Sequence, residues 1–122
     1  MQYTRVYADS TGESRFEDLT FDFQLLQYAP PTPDIYVSQF APATQYGILI
    51  LPSGWDGGLH PTPNRQVFFC LIGVVEVELS SGEKRRFTAG QMVVGEDTTG
   101  KGHHTRVLGD GELVLATVHL PE

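Results

Sequence analysis

Six consecutive apolar residues, Val67-Phe68-Phe69-Cys70-Leu71-Ile72, sit between Gln66 and Gly73. The run is too short for a typical helix and is rich in β-branched and aromatic residues, so it reads as a strand. Side chains of a strand alternate between its two faces, so a run without polar alternation needs apolar cover on both. Ile48-Leu49-Ile50-Leu51 makes the same demand. An opposing sheet covers one face of each. The other requires an N-terminal segment or a second subunit, and a homodimer is expected for that reason.

Elsewhere the chain breaks into short segments rich in Val, Ile, Phe and Thr and punctuated by Gly, Pro or Ser. Strands are predicted at about 35–40, 44–51, 66–72, 74–79, 84–88, 91–94, 104–108 and 113–120. Residues 21–25 also alternate like a strand. Residues 14–26 are the nearest approach to a helix, but Phe16, Phe21 and Phe23 do not keep a helical period. The fold class is therefore all-β, an antiparallel sandwich or barrel. A single domain is expected over the 122 residues. Within it, an N-terminal arm (1–34) joins a barrel core (35–122) through the stiff connector Ala29-Pro30-Pro31-Thr32-Pro33.

One hairpin can be registered residue by residue. With Ser80-Ser81-Gly82 as a three-residue loop and Gly82 left-handed, Glu78 faces Lys84, Glu76 faces Arg86 and Val75 faces Phe87. The basic cluster is thereby used on a solvated strand face. Arg85 falls opposite Val77 on the apolar side and is directed towards the rim.

The net charge of −7 leaves no basic stripe for phosphates, so nucleic acid is not an expected partner. No apolar run approaches a membrane span and no signal-peptide pattern stands out, which predicts a cytoplasmic protein without a membrane partner. The single cysteine, Cys70, cannot form an internal disulfide and reads as a buried core residue.

The chemistry concentrates in two places. In Gly54-Trp-Asp-Gly-Gly-Leu-His60-Pro-Thr62-Pro-Asn64-Arg65-Gln66, prolines 61 and 63 keep the chain extended and mark a mouth or edge. Positions 60, 62, 64 and 66 then share one face, with Phe68 and Cys70 deeper on it. Near the C-terminus, Gly102-His103-His104-Thr105-Arg106 holds adjacent histidines, of which alternation lets one face inward.

These stretches resemble the two motifs of the cupin superfamily. In the first, Gly54, His60, Thr62, Gln66 and Gly73 keep the spacing throughout. In the second, Gly90 opens the motif and Gly100-Lys101-Gly102-His103 continues it after an interval two residues longer than usual. Thr98 and Val107 stand where proline and asparagine are usual. The resemblance covers residues 54–107 and implies a cupin-type antiparallel β-barrel, the RmlC-like jelly roll or double-stranded β-helix. The run 96–103 and the pattern around His60-Pro61 are similar to small single-domain cupins that are mostly uncharacterised.

The resemblance places metal ligands at His60, Thr62, Gln66 and His103. Threonine is a poor ligand, and Gln66 offers a neutral carbonyl oxygen. Any divalent metal (Zn, Mn, Fe or Ni) would rest on His60, Gln66 and His103. Alternatively, Gln66 satisfies its own amide within the barrel. His103 is expected inside and His104 outside. His119 reads as a satisfied sheet histidine. Glu96 and Asp97 could orient a loop or accept a proton, although adjacent acids before Thr-Thr-Gly more often make turn hydrogen bonds. Trp55 either lines the mouth or caps the core. Arg65 flanks the pocket, to bind a carboxylate or to make a structural ion pair.

The expected partner is a small molecule, bound by Thr62, Gln66, Phe68, Trp55 and Arg65 around the catalytic residues His103 and His60. Acid–base or weakly metal-assisted chemistry of the isomerase, cyclase or lyase type suits these residues, because histidine titrates near neutrality. The alternatives are a non-catalytic ligand-binding cupin and a metal-dependent oxygenase, the latter disfavoured by the missing ligands.

Overall fold

The computed structural model describes residues 1–122, and every regular element is a strand. There are twelve: β1 (Gln2–Ala8), β2 (Ser14–Thr20), β3 (Phe23–Leu26), β4 (Ile35–Ser38), β5 (Gln45–Leu51), β6 (Asp56–His60), β7 (Gln66–Ile72), β8 (Val74–Leu79), β9 (Lys84–Thr88), β10 (Met92–Gly95), β11 (His103–Leu108) and β12 (Leu113–His119). No helix is long and apolar enough to cross a membrane.

Ten strands form two facing sheets of a jelly roll. The larger runs β2-β1-β10-β7-β12-β5, with β1 and β10 parallel, and the smaller runs β6-β11-β8-β9. Alternation sends Val6, Cys70, Val75, Val77, Phe87 and Val107 into the space between them, where they are buried. At one edge the Arg85 guanidinium lies 4.7 Å from the centre of the Phe16 ring and pairs with Asp18 at 2.6 Å. This resolves the position of Arg85: on the edge strand β9, it reaches across to β2 of the other sheet.

The 74–88 hairpin has the expected register, with Glu78 opposite Lys84, Glu76 opposite Arg86, Val75 opposite Phe87 and a left-handed Gly82. The N-terminal arm is drawn differently. Residues 2–20 are not an appendage but two strands of the larger sheet. Their inward alternation is masked because the buried position 14 is a serine, which donates to Asp97, and because Asp18 stays exposed at the sheet edge, paired with Arg85. The proline-rich segment does not join arm to body. It links β3 and β4, which form a separate two-stranded ribbon.

Gly102, just before β11, positions the future site. Its φ is +82°, and a β-carbon there would fall 2.2 Å from the carbonyl carbon of His60. The backbones of the two histidine-bearing segments can meet only at a glycine. Gly102→Ala is expected to destabilise the protein by about 2–4 kcal/mol, combining backbone strain and overpacking. Gly82→Ala, also left-handed but with nothing within 4 Å of the added carbon, is expected to cost only about 1 kcal/mol. Denaturant unfolding of the two variants measures the difference.

Candidate functional site

Between the sheets lies a cavity of about 430 Å³. Leu51, Phe68, Val75, Val77, Phe87 and Leu115 form much of its wall, and Trp55, the only tryptophan, also contributes to it. Polar groups enter from His60, His103, Asn64, Gln66, Thr117 and His119. No Asp, Glu, Lys or Arg side chain lines it. Positions 60, 62, 64, 66, 68 and 70 all lie on this surface, as alternation requires.

His60 and His103 are directly opposed in the β6–β11 pair, with ring centres 5.2 Å apart. His60 donates its Nδ1 proton to the Gly58 carbonyl at 3.0 Å. His103 donates its Nδ1 proton to Asp97 Oδ2 at 2.6 Å. Each ring is thereby held in one tautomer, and each keeps Nε2 free.

The carboxylate behind His103 is the main departure from the sequence reading. Asp97 is not a turn acid in solvent: its side chain is 0% exposed. Besides His103, it accepts hydrogen bonds from Ser14 Oγ at 2.8 Å and Thr62 Oγ1 at 2.7 Å. Burial alone pushes the Asp97 carboxyl up. The hydrogen bond and charge of His103, with the two hydroxyl bonds, outweigh it and hold the carboxyl below the usual carboxylate range. Asp97 stands out from the sequence only as one of two adjacent acids open to several roles, and Ser14 does not stand out at all. The proximity of Asp97 to His103 was the available signal for the first, and nothing marked the second.

Thr62 lines the cavity, but its hydroxyl proton is used on Asp97. Gln66 is latched at both ends, donating to the Asn64 carbonyl at 3.0 Å and accepting from Thr117 Oγ1 at 2.7 Å. Phe68 and Trp55 line the cavity. Arg65 does not line it. It pairs with Glu96 at 2.6 Å, because alternation turns residue 65 away from the face shared by 64 and 66. Glu96 also accepts from Arg5 at 2.8 Å. Burial raises the Glu96 carboxyl, but the hydrogen bonds from Arg65 and Arg5 bring it below its ordinary value. His104 points outward, to Asp56 and Arg106. His119 lines the cavity rather than serving only the sheet.

The donor set does not fit the metal centre that the motifs imply. Two imidazole nitrogens remain, Thr62 and Gln66 are engaged with protein partners, and no three His, Cys, Asp or Glu side chains gather at a spacing for a metal ion.

The sequence matches no family model and no curated protein. Among solved structures, a Cupin 2 conserved barrel domain protein from Salinispora arenicola is similar at a TM-score of 0.52 and 19% identity, over 83% of this chain and 76% of that one. The cupin domain of Cnp3 from Schizosaccharomyces pombe is similar at 0.53 and 15% identity, over 89% and 73%. These likenesses show the fold: the chain is a cupin-type jelly roll.

The lowered carboxyls carry a sign. Between their folded values and about pH 4, where free carboxyls titrate, the unfolded chain binds more protons than the folded one. Their contribution is complete above that range and is lost as pH falls through the folded values. Denaturant unfolding followed from about pH 6 to pH 3 should show falling stability. Asp97→Asn should be about 2–3 kcal/mol less stable at neutral pH, with a flatter acid limb.

Proposed function

We propose that this protein is an enzyme that moves a proton on a small, uncharged, largely apolar molecule, with His103 as general base and then general acid. The observation that carries the reading is the Asp97–His103 pair. A buried carboxylate fixes the Nδ1 proton, which leaves the Nε2 lone pair for substrate and stabilises the imidazolium formed when that lone pair takes a proton.

In an isomerisation, Nε2 of His103 removes a proton from carbon next to a carbonyl, and the electron pair shifts towards the carbonyl oxygen. The same nitrogen returns the proton to a neighbouring atom. The atoms balance without an oxidant or a second substrate. His60 Nε2, on the adjacent ring, is a second acceptor for a substrate hydroxyl. The apolar wall selects the ligand, since a carboxylate or phosphate would lose its water without meeting a cation.

A non-catalytic ligand-binding role is the second reading. It is favoured by Thr62 and Gln66, whose polar atoms serve the protein rather than a ligand.

Hydrogen exchange separates the two. A panel of uncharged ketones is incubated with the protein in D2O, with deuterium incorporation read by NMR and binding by Trp55 fluorescence. Exchange of α-hydrogens should be accelerated and should fall by about 10²-fold or more in His103→Gln, with binding retained. Binding without acceleration supports the second reading. Acceleration unchanged in His103→Gln would sink the role given to His103.

A further inference from the structure

The larger sheet has a second face, away from the cavity. Its central strands set three apolar rungs across it: Val67–Val118–Tyr46, Phe69–Ala116–Ile48 and Ile72–Val114–Ile50. On the β1–β10 side, Tyr3 and Phe21 pack over Val67, Met92 and Val94. Towards β5 that cover ends, leaving Tyr46 91%, Ile48 60% and Ile50 57% exposed.

The β3–β4 ribbon is apolar and equally uncovered. Phe23, Leu25 and Tyr36 share one face by register, Leu26 and Ile35 the other, and all five are exposed. The ribbon strands pack chiefly on each other. It is rooted on the outer side of the larger sheet, where Phe23 lies 6.2 Å from Phe21 and Phe21 lies 4.5 Å from Tyr3.

We propose that the occupant of this face is a second copy of the same chain, in a two-fold dimer where each ribbon lies on the partner's β5–β12–β7 rungs. Both halves of the contact are present in one chain and do not cover each other, which is the condition for an isologous interface. On the rungs Phe69, Ile72, Tyr46, Ile48 and Ile50, and on one ribbon face Phe23, Leu25 and Tyr36, are all between 37% and 91% exposed. Contiguous apolar patches of this extent on a monomer mark an interaction site.

Charge selects a copy over other occupants. Neither the rungs nor the ribbon strands carry a charged residue, so two chains of net charge −7 can meet there without opposing like charges. A membrane surface is disfavoured, because no Lys or Arg occurs between Arg15 and Arg65 to reach anionic lipid.

The test is the mass of the full chain in solution. Sedimentation at micromolar concentration should give twice the 13.5 kDa chain mass. Ile48→Lys on the rungs and Tyr36→Glu on the ribbon should each shift it to the monomer, with the β-sheet circular dichroism unchanged. The ribbon lies outside both sheets, so Tyr36→Glu separates loss of contact from loss of fold. A wild-type monomer, whether or not it sediments with anionic phosphatidylserine vesicles, overturns the proposal. So does a dimer that survives Tyr36→Glu, or an open-ended oligomer.

Discussion

A carboxylate withdrawn from water must be met by donors or give up its charge, and Asp97 is met by three. They come from Ser14 at the start of β2, Thr62 in the segment after β6 and His103 at the start of β11. Asp97 itself follows β10, so one charge ties its own stretch, 97–103, to two distant parts of the chain. The Thr62 amide also donates to the Asp97 carbonyl at 3.0 Å. Two strands that sequence patterning does not announce, β1 and β2, are needed here: they carry Ser14 to the carboxylate. Structural and chemical roles converge, because the group that closes the packing also chooses the tautomer of His103.

The same network explains what became of the motif positions. Thr62 and Gln66 stand where stronger ligands are expected. Thr62 instead donates to Asp97, and Gln66 bridges the Asn64 carbonyl and Thr117. Their polar atoms are satisfied within the protein, as buried polar atoms must be. The imidazoles keep their Nε2 lone pairs, whereas their neighbours have become part of the wall. A site of this kind presents basicity and apolar surface rather than a firm set of ligands.

Much of this was legible in residues whose alternatives are few. The 74–88 register follows from charges that pair in only one alignment, and the inward direction of His60, Gln66 and His103 from alternation with motif spacing. The apolar outer face of β5 and β7 followed from the absence of polar alternation. Of the two roles open to Arg65, the structure shows the ion pair, with Glu96, because residue 65 falls on the face opposite to 64 and 66. Asp97 looked like a turn acid because two adjacent acids before Thr-Thr-Gly read alike whether solvated or buried. Ser14 was invisible, since its partner lies 83 positions away. Strands β1 and β2 lack a legible alternation because the buried position 14 is a serine satisfied by Asp97 and position 18 is an exposed edge aspartate paired with Arg85.

Strand β7 shows how one segment serves two purposes. Its even-numbered residues, Gln66, Phe68 and Cys70, look into the cavity, while Val67 and Phe69 lie on the outer rungs. A strand bearing both a ligand wall and an exposed apolar face cannot be changed on one side without shifting the other, since its backbone pairs with β10 and β12 along its length. Rigidity there would serve the proposed chemistry. The carboxylate holds His103, the close approach at Gly102 holds His60, and β7 holds the wall against which a substrate would be pressed. An apolar ligand brings few polar handles for orientation, so placement must come from the shape of a wall that does not move. In the proposed dimer, the partner's ribbon on the outer face of β7 and its neighbours would help to keep that wall still.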